Sequence, residues 1–398
     1  VALPASASGV LDNEKKIVYK DIGEVLDATP ILLPQQLRLW RWISDYYMSP
    51  IGDVYKAALP SGLKAEDGYR PRTELYVRLA DNFRNERSLT LMIDAMKRAS
   101  KQVEVLMAYL RLAGVDKVEH LTTETPLREV TREELMNDTH TTIGVIRALS
   151  DRKLLVTYEK EVGRLNDNVL PHPEHIKPLN EAQTEAYNQI LIQMMGHPVT
   201  LLHGVTSSGK TEIYIHLIQK AIDEHKQVLY LLPEIALTVQ ITERLKAVFG
   251  NRLGIYHSKY SDAERVEIWQ KQLSAQPYDV ILGARSAVFL PFQRLGLVII
   301  DEEHEQSFKQ QDPAPRYHAR SAAIVLAQMY AGAKTLLGTA TPSMETYYNA
   351  QQGKYGLVEL TRRYKDIHMP AIEVVDVKDL YRRKMMTGPF SPRLLAAV

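Results

Sequence analysis

The stretch Gly204-Val205-Thr206-Ser207-Ser208-Gly209-Lys210-Thr211 reads G-x-x-x-x-G-K-[ST], the pattern of a phosphate-binding loop. That pattern demands a strand before it and a helix after it. Residues 199–203 form a short apolar run, β-branched at Val199 and Thr200. From Lys210 to about His225, Ile213, Leu217 and Ala221 recur at helical spacing. Gly204 and Gly209 let the backbone curl so that its N–H groups point at phosphate oxygens. The helix N-terminus adds partial positive charge there. Lys210 is placed to reach the β- and γ-phosphates, the Thr211 hydroxyl to ligate Mg²⁺, and Glu212 to join the nucleotide contacts.

A second motif follows about 90 residues on, where Leu297-Val298-Ile299-Ile300 runs into Asp301-Glu302-Glu303-His304. Four apolar residues predict a buried strand that ends in acids. Asp301 is the expected Mg²⁺ holder and Glu302 the expected polariser of an attacking water, the division of labour that phosphoryl transfer needs. Glu303 reads as a solvated charge. The third motif, Gly338-Thr339-Ala340-Thr341-Pro342-Ser343, also follows a strand. Its hydroxyls are suited to bond the acids of the second.

Around these motifs, short apolar runs at 228–232, 253–256, 280–282, 297–300 and 335–337 alternate with amphipathic stretches. The helices are expected at 236–249, 261–275 (capped by Ser261 with Glu264) and 319–331. The alternation predicts a parallel sheet with helices on both faces, its sites beyond the carboxyl ends of the strands. The fold class is therefore multidomain α/β.

Before this lobe the pattern differs. Residues 1–9 are small, and a strand is expected at 15–19. From Gln35 to Tyr47 the chain reads as a helix with Leu37, Trp40, Ile43 and Tyr47 on one face. Trp42 and Tyr46, beside Arg38 and Arg41, suit either base stacking or plain packing. Residues 73–163 give helices around Leu89 to Met96 and Val103 to Leu110, then a short one opened by Thr131 with Glu134. A further helix carries Ile143, Ile146 and Leu149, and a strand follows, the order of a winged helix. Arg147, Arg152 and Lys153 would meet phosphates if its last helix faces DNA, and are solvated charges if it contacts protein. Prolines at 171, 173 and 178 mark 164–178 as a linker. The division is thus 1–72, 73–163, 164–178 and 179–398.

Composition narrows the chemistry. With 45% hydrophobic and 24% charged residues the chain is of ordinary globular type. It has no cysteine, so disulfides and thiolate-held zinc are excluded within it. The net charge of +1 means that nucleic-acid binding depends on local basic patches. Neither a signal peptide nor a run of 18 apolar residues is visible. The first residue is Val rather than Met, which leads to the expectation of a fragment.

The three motifs, with Leu179-Asn180-Glu181-Ala182-Gln183 upstream, resemble the DExH-type superfamily 2 helicases. Pro233 to Thr238 and Gly283 to Pro291 look like that superfamily's strand-tracking motifs. The loop from Ser307 to Arg320 looks like its aromatic-rich coupling loop. The narrowest likeness is to the bacterial replication-restart helicases, from about residue 20 to the end, with Trp42 to Tyr47 and Ala57 to Leu63 included. The resemblance implies a RecA-like P-loop lobe preceded by a winged helix and part of a mostly-β 3′-DNA-binding domain. It implies ATP and Mg²⁺ as cofactors, Gln183 as adenine reader, and forked or single-stranded DNA as substrate. Arg285, Phe308, Lys309, Arg316, Tyr317 and Arg320 become the DNA-coupling set, with Phe308 or Tyr317 either stacking on bases or anchoring the loop on the lobe. Single-strand binding protein and primosome proteins are implied partners, and the bacterial cytoplasm, at the nucleoid, the implied location. A zinc module and an arginine finger belong to later parts of that family, so weak nucleotide binding and poor hydrolysis by this stretch alone are expected. Ser207 and Ser321 stand where the family commonly has Gly and Asp. The implied activity is 3′-to-5′ unwinding at stalled forks with primosome assembly; the rivals are a double-strand translocase and an ATP-switched assembly platform.

Overall fold

The computed structural model describes residues 29–64, 73–96, 99–115, 121–122, 125–161, 169–257, 259–362 and 372–398. The strand expected at 15–19, residues 1–9, part of the boundary at 65–72 and the linker's 164–168 lie outside them.

Two helices come first, α1 (Pro34–Tyr46) and α2 (Ile51–Ala58). Pro34 opens α1, where its missing N–H costs nothing, and the Gln36 side chain accepts from Leu33 N at 2.8 Å. Leu39, Trp40 and Ile43 are buried, so the core stripe runs along one helix face. That stripe packs on the later lobe and not on a core of its own. Gln36 Nε2 donates to Phe289 O at 2.7 Å, and Trp269 Nε1 donates to Ile31 O at 2.9 Å.

The winged-helix region runs β1 (Thr73–Leu79), α3 (Glu86–Ala95), α4 (Ser100–Leu112), β2 (Val130–Thr131), α5 (Arg132–Thr139), α6 (Ile143–Asp151) and β3 (Leu155–Glu161). Its antiparallel sheet has the order β2-β1-β3. Leu89, Leu106, Tyr109, Leu135, Ile146 and Leu149 form a separate core beneath it. Thr131 caps α5 by accepting from Glu134 N. The Glu134 carboxylate, however, pairs with Arg128.

The large lobe is built from α7 (Glu181–Gly196), β4 (Val199–Gly204), α8 (Lys210–Asp223), β5 (Gln227–Leu231), α9 (Val239–Phe249), β6 (Leu253–Tyr256), α10 (Asp262–Leu273), β7 (Val280–Gly283), β8 (Leu295–Asp301), α11 (Ala319–Gln328), β9 (Lys334–Thr339), α12 (Met344–Gln351) and β10 (Gly356–Leu360). Two short helices, α13 (Val377–Arg382) and α14 (Pro392–Ala397), end the described chain. The sheet is parallel throughout, in the order β10-β4-β9-β8-β5-β7-β6. Its strands are buried on both faces, as their near-continuous apolar runs require. One face packs α1, α2, α10 and α11, and the other packs α7, α8 and α9. Helix α9 starts at Val239, capped by Thr238, not at 236 as the periodicity suggested. Among the described residues no helix is long and apolar enough to cross a membrane.

Candidate nucleotide site

Strand order and register bring the three motifs to one edge. β4 lies beside β9, and β9 beside β8. In register, His203 faces Thr339 and Asp301 faces Gly338. The loop after β4 curls through Ser207 at φ 63° and Gly209 at φ 83°. Successive N–H groups in such a curl form an anion-binding concavity. A side chain at Gly209 would be strained by its φ of 83°, and its Cβ would displace the Gln183 amide, whose Nε2 lies 2.2 Å from that position. Gln183 uses its amide twice: Nε2 donates to Ser208 O at 3.1 Å, and Oε1 accepts from Asn180 N at 3.0 Å. Lys210 Nζ donates to Gly204 O at 3.0 Å from a buried position. Thr211 is the next residue of α8 and half-buried. Ser208 Oγ is buried with no partner, an orphaned donor that a phosphate oxygen would satisfy. These residues fit a nucleotide triphosphate.

Asp301 ends β8, and Glu302 turns away from it at φ 50°. Burial pushes the Asp301 carboxyl up to about 6, against the downward pull of the Lys210 charge; Glu302 adds to the rise. Tyr214 donates to Oδ1 at 3.0 Å and Tyr230 to Oδ2 at 3.4 Å. Among the described residues no cation contacts this half-buried carboxylate, which suits a divalent ion, and Glu302, its side chain 36% exposed and its Oε2 3.7 Å from His304 Nδ1, is accessible to a water.

Glu303 corrects the solvated-charge reading: it is fully buried. Arg320 pairs with its Oε2. Ser343 N donates to Oε1 at 2.7 Å, and Thr346 Oγ1 donates to Oε2 at 2.9 Å. His304 Nδ1 lies 2.8 Å from Thr339 Oγ1. The third motif's hydroxyls thus bond the second motif, as its residue types suggested.

The coupling loop differs from expectation in its aromatics. Phe308 and Tyr317 are each 1% exposed, so neither presents a ring face to a base. Tyr317 instead packs edge-on against Phe289, with ring centroids 5.0 Å apart, and its hydroxyl reaches Arg285 O at 3.4 Å. Arg320, expected to sense a strand, is committed to Glu303 with its side chain 16% exposed. Arg285 reaches Ser307 O at 3.4 Å. Arg316 is exposed, with Nε on Gln311 O at 2.9 Å, and Lys309 bonds Arg316 O. Lys309 Nζ also lies 4.9 Å from the Tyr47 ring centre. The Tyr47 hydroxyl accepts from His318 N at 3.1 Å, so α1 is seated on the loop. Trp42 and Tyr46 stack on each other at 4.9 Å, with Tyr46 exposed.

Glu212 is also corrected. Arg244 takes both its oxygens, at 3.0 and 2.7 Å, so the carboxylate joins α8 to α9 and is not offered to the nucleotide. Sequence reasoning passed over Arg244, Tyr214 and Tyr230. Tyr214 had a signal, since it stands four residues after Lys210 and shares its helix face.

Known proteins resemble this chain over most of its length. The 3′ DNA-binding domain (3′BD) model matches residues 7–60, and the Bacteroidota PriA helicase winged-helix model matches 74–162. The DEAD/DEAH box helicase model matches 180–350, and such a domain implies use of ATP and Mg²⁺. The replication restart protein PriA of Haemophilus influenzae is 34% identical over 384 residues, covering 95% of this chain and 49% of that protein. Its Bacillus subtilis counterpart is 32% identical over 410 residues, covering 91% and 50%. That of Chlamydia trachomatis is 34% identical over 378 residues, covering 93% and 47%. The chain spans about half the length of the curated relatives it matches.

Proposed function

Because the chain belongs to the PriA family of replication-restart helicases, corresponding to the N-terminal half of its relatives, we propose that it is the DNA-recognising and nucleotide-gripping part of an ATP-driven 3′-to-5′ helicase. The whole protein would recognise stalled forks and start primosome assembly. One observation carries this reading: the phosphate loop, the acids and the hydroxyl motif end at adjacent strand tips, in register. Backbone N–H groups of 205–210 and Lys210 would hold the phosphates. Thr211 and Asp301 would hold magnesium, which supplies charge neutralisation. Glu302 would orient the attacking water and accept its proton. Gln183, bonded to Ser208 O, would report adenine occupancy to the loop.

The units would divide the work. Residues 1–72 and 73–163 would bind DNA, and 164–178 would link the winged helix to 179–398, the first motor lobe. Arg147, Arg152 and Lys153 are exposed and make no ion pair among the described residues, which favours phosphate contact. Arg285, Lys309 and Arg316 would sense the strand, with Arg320 acting through Glu303. Single-strand binding protein and primosome proteins would be partners, in the bacterial cytoplasm at the nucleoid. A cysteine-held zinc module would have to lie outside these residues, which contain no cysteine. Charge on a γ-phosphate is stabilised from two lobes, and an arginine finger is worth ~10³–10⁵ in rate. These 398 residues alone would therefore hydrolyse ATP slowly. The test is strand-stimulated ATP hydrolysis and fork unwinding by the whole protein. Lys210→Ala should abolish both while fork binding persists. Unwinding that survives this substitution would refute the motor.

A further inference from the structure

Asp301 is held by more than its own strand. Tyr214, one turn along α8 from Lys210, donates to Oδ1 at 3.0 Å, and that oxygen also accepts from Glu302 N at 3.1 Å. Tyr230, inside β5, donates to Oδ2 at 3.4 Å. Both tyrosines are 0% exposed, and their rings meet edge to face at 5.6 Å. A buried phenol costs stability unless its hydroxyl is bonded, so packing alone would be served better by Phe at both positions. Instead each hydroxyl takes one oxygen of the same carboxylate.

Gly338 supplies an independent observation. It sits opposite Asp301 in the β8–β9 ladder. A Cβ there would lie 1.8 Å from the Tyr214 hydroxyl oxygen and 3.2 Å from Asp301 Oδ1. The hydroxyl thus fills the place of a side chain on the third motif's first residue. One phenol touches all three motifs: it grows from the phosphate-loop helix, bonds the acid and abuts the glycine.

We propose that Tyr214 and Tyr230 are positioning residues for the magnesium ion, their hydroxyls fixing the orientation of the Asp301 carboxylate and tying it to the helix that bears Lys210. The proposal rests on the reading of Asp301 as magnesium ligand. Partners that orient a ligating side chain are typically worth 10–100-fold in metal affinity. The longer Tyr230 bond makes it the weaker of the two.

The test is direct binding of a fluorescent ATP analogue to this chain, titrated with MgCl₂ and repeated in EDTA. Tyr214→Phe should raise the magnesium half-saturation about tenfold. Tyr230→Phe should raise it less. Both should leave EDTA affinity, set by the phosphate loop, within about twofold. Gly338→Ala should reproduce the Tyr214→Phe shift and add little to it in the double variant, since both break one bond. Asp301→Ala is the control. Should it leave the magnesium dependence intact, the ligand reading falls and this proposal with it. Should it abolish that dependence while Tyr214→Phe and Gly338→Ala stay within twofold of wild type, the positioning role alone is overturned. Equal losses with and without magnesium in Tyr214→Phe would likewise overturn it, marking a core residue and not a metal-positioning one.

Discussion

Asp301 and Glu303 stand two residues apart at the end of one strand, yet their surroundings are opposite. Glu303 is fully buried and neutralised by Arg320, with Ser343 and Thr346 donating to it as well. Asp301 has two phenols and one backbone N–H but, among the described residues, no cation in contact, and its carboxyl is pushed up to about 6. The contrast separates an acid that fastens the fold from one held ready for a cation. A carboxylate already paired with a buried guanidinium has its charge neutralised, whereas one bonded only to neutral donors keeps a desolvation penalty that a metal relieves.

Removing each charge should therefore move stability in opposite directions. Glu303→Gln leaves Arg320 buried without its counter-charge and should cost about 3–5 kcal/mol in denaturant unfolding. A loss below about 1 kcal/mol would demote the cluster to an ordinary surface pair.

Asp301→Asn should instead stabilise the magnesium-free chain at neutral pH, by roughly 1–2 kcal/mol. The sign follows from linkage. The folded carboxyl is pushed up to about 6, above its usual 3.8, so protonation favours the folded state. Its contribution is full below pH ~4 and disappears as pH rises through ~6. The gap between variant and wild type should accordingly open over that window in EDTA. Parallel curves would contradict the shift.

His318 sharpens the contrast on the acid side. Burial, with Arg320 and Lys309 nearby, lowers its imidazole to about 4, and its Nδ1 is buried without a partner. The unfolded chain takes up this proton first. Wild-type stability should fall as pH drops from about 6.5 towards 4, and His318→Gln should flatten that part of the slope. An unchanged slope would place the ring in water.

The smallest effect concerns the phosphate loop. Ser207 holds φ 63°, a conformation that glycine adopts without a Cβ clash. Ser207→Gly should gain up to about 1 kcal/mol by thermal unfolding, less the extra freedom of the unfolded chain. A net loss would show that the serine side chain contributes a bond that outweighs the strain.

Much of the lobe was legible because each parallel strand is a short apolar run closed by turn residues, and the motif glycines fix where strand gives way to helix. Gly356–Leu360 carries no strand signal in sequence: at the sheet edge, with Glu359 exposed, its pattern is too short to stand out. The signal of Thr73–Leu79 is weak too, although Leu75, Val77 and Leu79 alternate with polar or aromatic neighbours. Docking of α1 depends on bonds such as Gln36 to Phe289, 253 residues apart, which no local pattern encodes. The chemistry of the site was legible as residue types at motif spacing. Which side chains are buried was not. Phe308 and Tyr317 look alike in sequence whether they face a base or the core, and Glu303 looks like any acid after a strand. Glu302's turn to positive φ separates the roles of the three acids, and it is visible only in three dimensions.

The central claim is that Lys210 and Asp301 together grip a magnesium nucleotide at the tips of one sheet. Isothermal titration of this chain with Mg·ATP, beside Lys210→Ala and Asp301→Asn, tests it most directly. The account predicts a single site, weakened at least about tenfold, or 1.4 kcal/mol, in each variant, with neither one losing folded stability. Equal affinity in wild type and both variants would contradict it.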